Sequence, residues 1–149
     1  MEEREKVKTK LLRSVFWALV GVFVVMVCIF AIPAARELLM GLPFIVVSGA
    51  VFGLLGIALI VFTVKQRMGG LVEKFLLLTG ASAVGIPASI FLHNAVYGLF
   101  IYWFGADFWN GGDEPFFFVM AVIVCPLGFL VGVVGNIVLA VKHRQPGVA

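Results

Sequence analysis

PFIVVSGAVFGLLGIALIVFTVKQR, residues 43–67, decides the fold. Residues 43–64 contain no Asp, Glu, Lys or Arg, and the run stops at Lys65-Gln66-Arg67. Crossing a hydrocarbon core about 30 Å thick takes roughly 20 apolar residues in a helix. Backbone groups in lipid must also bond within their own segment. The run therefore predicts a membrane-spanning helix with a basic stop. Inside it, GAVFGLLG spaces Gly49, Gly53 and Gly56 by four and three, which puts them on one helical face. The same punctuation returns in GFLVGVVG at Gly128, Gly132 and Gly135, in a run that stops at Lys142-His143-Arg144. A smooth glycine face lets another helix approach closely in a membrane, so both triads read as helix-packing faces.

Three further runs lack Asp, Glu, Lys and Arg: 14–35, 75–104 and 116–141. The expected fold is all-α, a polytopic membrane protein with four transmembrane helices in two hairpins, forming one domain over residues 1–149. Composition agrees, with 62% hydrophobic residues, 13% charged residues and a mean hydropathy of +1.15. Soluble domains are about 45–50% apolar and about 25% charged. The first run is longer than the roughly 7–15-residue core of a signal peptide, and it reads as a retained span. The third run would reach roughly 45 Å as a helix, so it must tilt, bend or project. Pro87 is a natural place for a bend. With both hairpins starting and ending on one side, any repeat marked by the glycines is a parallel one. Coincidence is an equal reading, since glycine is common in membrane helices.

The charges orient the bundle. Arg4, Lys6, Lys8, Lys10 and Arg13 lie before the first run, Lys65, Arg67 and Lys74 between the second and third, and Lys142 and Arg144 after the fourth. These are ten of the eleven basic residues, and only Arg36 falls on the other side. The positive-inside rule then predicts a multi-pass cell-membrane protein with both termini cytoplasmic. The net charge of +3 and pI near 9.1 do not mark a nucleic-acid binder, because the basic residues flank spans and form no patch. The head, 1–13, reads as a helical extension of the first span whose lysines attract anionic lipid headgroups.

The third run carries a polar stripe. Ser82, Ser89, His93 and Tyr97 share a face, Thr79 lies near it, and Asn94 sits about 100° round from His93. An ionisable group at membrane depth is a candidate functional site. Counting inward from the apolar ends places Cys125 level with His93, Asn136 level with Gly80, and Cys28 near Ser89. Ser89, His93, Asn94, Tyr97 and Cys125 are thus the candidate ligand-binding residues. The alternative is that His93 acts as neutral interhelical glue, worth about 0.6 kcal/mol. Cys28 and Cys125 show no CxxC or Cys/His metal spacing and read as buried small hydrophobes. No cofactor or metal is expected, although a haem shared across a dimer or a His/Met site stays open. In the outer loop, GADFWNGGDEP, Asp113 and Glu114 are expected to complement the N-terminal dipole of the fourth helix, with Pro115 at its first position. The lesser alternative there is a hard cation bound by Asp107, Asp113, Glu114 and Asn110. Phe16, Trp17, Tyr97, Tyr102, Trp103 and Trp109 read as interfacial belts.

No Ser/His/Asp arrangement, HExxH motif or phosphate-binding loop is present. The spans hold no carboxylate of the kind that drives proton-coupled exchange. FLHNAVYGLF (Phe91–Phe100) followed by DEPFFFVMAVIVCPLGFLVGVVG (Asp113–Gly135) resembles uncharacterised small four-span membrane proteins of bacteria and archaea. The resemblance covers roughly the C-terminal half and implies membrane location without an activity. The leading expectation is a non-enzymatic structural or accessory subunit that contacts the bilayer and a homo-oligomer or membrane-protein partner. A transporter or channel subunit built around His93 is the alternative, and a membrane redox or cofactor-binding protein is the second.

Overall fold

The computed structural model describes residues 2–39 and 42–143. Arg144, on which part of the basic-tail reading rests, and Met40 and Gly41 of the short loop lie outside them. The described residues are helical apart from short connections. In chain order they form α1 (Glu2–Ala31), α2 (Pro33–Leu39), α3 (Leu42–Gln66), α4 (Gly70–Phe104), a 3-10 turn (Ala106–Trp109), α5 (Pro115–Val119), a π turn (Met120–Val124) and α6 (Cys125–His143). Four helical stretches are long and apolar enough to cross a membrane: Lys6–Ala31, Pro43–Gln66, Gly70–Phe104 and Pro115–Lys142.

Local chemistry sets the breaks. Ile32 precedes Pro33, whose ring disfavours the helical region for its neighbour, and there α1 gives way to α2. Arg67, Gly69 and Gly70 adopt positive φ and reverse the chain between α3 and α4. Glu73 accepts the Gly69 amide at 2.6 Å, and Gln66 donates to the Lys8 carbonyl at 2.9 Å. The basic head is thus part of α1, and it lies at the same end of the bundle as the α3–α4 turn. The π turn stands just before Pro126. A proline ring crowds the carbonyl four residues back, and the widened turn accommodates it, with the Cys125 amide donating to the Met120 carbonyl.

α4 is the hub, and both glycine triads lie against it. A methyl placed on Gly56 would fall 2.9 Å from the Gly80 carbonyl oxygen, and one on Gly80 would fall 3.0 Å from the Gly56 carbonyl oxygen. Pro87 packs over the same face of α3, 3.2 Å from such a methyl on Gly53 and 3.7 Å from one on Gly49. From the other side, Gly128 faces Ser82, Gly132 faces Thr79 and Phe75, and Gly135 faces the Phe75 ring. α4 runs through Pro87 as one helix. Phe23 of α1, Phe52 of α3 and Phe129 of α6 close the centre, with ring centroids 4.5–6.1 Å apart.

The register of the third and fourth spans differs from the count made on apolar ends. Cys125 faces Gly85, not His93, and the level of Gly80 is met near Gly132, not Asn136. The offset is about two turns at Cys125 and about one turn at Gly80. It arises because α4 begins at Gly70 and carries Glu73 and Lys74 inside the helix, whereas the apolar run begins at Phe75. At the other end α4 continues past His93 to Phe104, well beyond the start of α5. Cys28 is a second correction: it is exposed, not buried. Only 17% of the most apolar window of its helix is covered, against 33% for α4, so most α1 side chains face outward.

Candidate functional site

The start of α5 meets α4 at His93, about three turns before α4 ends at Phe104. The loop between them folds back along α4, and aromatic stacking holds it there. Phe108 lies on Phe104 and Phe100, with centroids 5.1 and 5.0 Å apart. One turn down, Trp109 stacks on Tyr97 at 5.9 Å with planes 15° apart, and its indole N–H reaches the Tyr97 carbonyl at 3.4 Å. Asn110 (φ 48°) and Gly111 (φ 78°) take the left-handed backbone that turns the chain. The Gly112 amide donates to the Trp109 carbonyl at 2.8 Å.

This path delivers Asp113 and Glu114 to the histidine. His93 Nδ1 lies 3.1 Å from the Glu114 carbonyl oxygen and 3.4 Å from its Oε2, and Nε2 lies 3.3 Å from Asp113 Oδ2. Every one of these partners is an acceptor. A neutral ring can donate through one nitrogen, and an imidazolium through both. Glu114 is also the N-cap of α5, where its carboxylate accepts the Phe116 and Phe117 amides at 2.8 and 2.9 Å. Pro115 occupies the first helical position, where its missing N–H costs nothing. Capping of this kind contributes about 1 kcal/mol. The Glu114 side chain is buried, that of His93 is 16% exposed and that of Asp113 is 60% exposed, so the cluster runs from the protein interior to the surface. The His93 ring also tilts over Phe118, centroids 5.9 Å apart.

The other candidate residues do not join this cluster. Ser89 is buried, and Cys125 lies behind Gly85, one turn below it on α4. Asn94 is exposed and donates to the Ile90 carbonyl of its own helix at 2.8 Å. Tyr97 serves as the stacking platform for Trp109. Among the described residues, no group of three or more His, Cys, Asp or Glu side chains is arranged to hold a metal ion. Glu114 is the partner that sequence reasoning missed for His93. The signal was its place immediately before Pro115, which marks an N-cap; what hid it was the length of loop between it and α4. Several other polar side chains bond along their own helices. Thr63, Thr79 and Asn136 donate to the carbonyls of Leu59, Phe75 and Gly132, the back-bonding typical of such residues inside helices.

No protein-family model, curated protein or solved structure matches the chain.

Proposed function

We propose that the chain is a multi-pass membrane protein of the cell membrane that acts as a non-enzymatic structural or accessory subunit, with the basic end of its bundle in the cytoplasm. The observation that carries membrane insertion is the apolar exterior. Of the four candidate spans, even the best covered has only a third of its apolar window buried. The accessible surface, 10315 Å², exceeds the roughly 7,400 Å² expected of a compact soluble chain of this mass. Large apolar side chains such as Val46, Val47, Leu54, Phe91 and Val131 make up that surface, and lipid is the solvent that matches it. The orientation rests on the positive-inside rule. Likeness to small four-span proteins of bacteria and archaea belongs to the same proposal and adds only location.

The structural role is supported by how the polar groups inside the bundle are used. His93 ties the outer loop to α4, Glu114 caps α5, and Thr63, Thr79 and Asn136 bond along their own helices. Both glycine faces are occupied by α4 of the same chain, so an association with another protein would use the outer faces instead. Purification from native membrane in mild detergent, with identification of co-purifying chains, tests the subunit role. A stable partner is expected, and the reading is overturned by a chain found in the soluble fraction or by a pure protein that turns over a substrate unaided.

One observation favours a transporter subunit as the second reading, the buried Glu114 carboxylate beside His93 with Asp113 leading to the surface. Solute flux in vesicles that is abolished by His93→Gln would select it. Unchanged flux would remove it.

A further inference from the structure

α1 and α6 meet at Phe23 and Phe129. Between them lies a cavity of about 380 Å³, open to the side and lined by Leu12, Phe16, Leu76, Ile137 and Ala140, with Arg13 at its rim. That volume falls within the range of about 300–1,000 Å³ typical of small-molecule sites. Among the described residues, Arg13 is the only charged one in the lining. It is also the last basic residue before the first apolar run, which sets it at headgroup depth if α1 spans the bilayer. Trp17 flanks the opening and is half exposed.

We infer that this groove is a binding site for one anionic glycerophospholipid of the cytoplasmic leaflet. An acyl chain lies along Phe16, Leu76 and Ile137 and stops below the Phe23–Phe129 contact, and the phosphate sits at Arg13. The chemistry is one apolar chain joined to one anionic head, which matches a mostly apolar slot, with Thr9 and Asn136 also in its lining, and a single guanidinium at its mouth. Arginine binds phosphate in a bidentate fork, and basic residues beside a span attract anionic headgroups. Lys6, Lys8 and Lys10 on the same helix add to that potential. The groove lies at the end of the bundle that the membrane reading places in the cytoplasmic leaflet, and the inference rests on that reading.

Native mass spectrometry of the detergent-purified protein is the test, with phosphatidylglycerol and phosphatidylcholine of identical acyl chains. Phosphatidylglycerol should bind about fivefold more tightly, the worth of one basic side chain near an anionic head. Arg13→Gln should erase that preference, weakening phosphatidylcholine somewhat through the lost phosphate contact and phosphatidylglycerol more, because only its head carries a net negative charge. Ala140→Trp, at an exposed position that fills the slot, should reduce binding of both lipids, whereas Val46→Trp on a remote exposed surface should change neither. Equal affinity for the two lipids in the unaltered protein would overturn the proposal. So would lipid binding unaffected by Ala140→Trp, or glycerol 3-phosphate competing as well as the whole lipid. Because binding is read in micelles, these failures stay separate from a failure of membrane insertion, which fractionation of the cells reports.

Discussion

Replacing Gly132 with alanine places a carbon where the structure has no room for one. It would lie 2.9 Å from the Thr79 amide nitrogen and 3.0 Å from the Phe75 carbonyl oxygen, with Thr79 Oγ1 closer still. Ordinary contact begins near 3.4 Å, so α6 must retreat from α4 by about half an ångström. Two of the three obstructing atoms are backbone and cannot rotate away. Overpacking of this kind costs about 1–3 kcal/mol. Alanine is also a better helix former than glycine, by up to about 1 kcal/mol. Gly98→Ala supplies the control, since nothing lies within 4 Å of a methyl at that position of α4. The difference between the two variants therefore isolates the packing cost and should be about 1–3 kcal/mol. Unfolding by titration with sodium dodecyl sulfate, followed by tryptophan fluorescence, measures it. If Gly132→Ala and Gly98→Ala shift the midpoint equally, α4 and α6 do not meet as described.

Two more outcomes follow from the outer end. Glu114→Ala removes the cap of α5 and a partner of His93, and should cost about 0.5–2 kcal/mol. In a double-mutant cycle with His93→Leu the two changes should couple by about 0.5 kcal/mol or more, and either one should speed amide hydrogen exchange over 105–114. Strict additivity, with unchanged exchange, would mean that the histidine does not hold the loop. For orientation, Gly111→Cys in a Cys28→Ser, Cys125→Ser background should react with a membrane-impermeant maleimide added outside intact cells. Labelling only after the cells are opened would reverse the assigned topology.

The four long apolar helices were legible because a run without charge has few alternatives to a buried or lipid-facing helix. The glycine spacing likewise marked faces that allow close approach, although not which helix would fill them. Register was not legible, since apolar limits are not helix limits. Glu73 and Lys74 continue α4 past its apolar run, as charged residues can once a helix reaches the interface, and a count from Phe75 then slides Cys125 two turns away from Gly85. Nor could spacing bring Glu114 to His93. That pairing depends on α4 overshooting and on Trp109 and Phe108 folding the loop back along it. The burial of Cys28 was misjudged because an apolar helix gives no sign of which side chains face protein and which face lipid, both surroundings being apolar. The groove beside Arg13 was invisible for a related reason, as its walls come from α1, α4 and α6, which are far apart in sequence.

The claim that α4 is clasped in this register can be tested by one cross-link. A Cβ added at Gly85 lies 3.7 Å from that of Cys125, inside the roughly 3.5–4.5 Å that a disulfide spans. In a Cys28→Ser background, Gly85→Cys in isolated membranes should lose both free thiols on mild oxidation and regain them with reductant. His93→Cys in the same background should keep both. A disulfide from position 93 and none from position 85 would contradict the account.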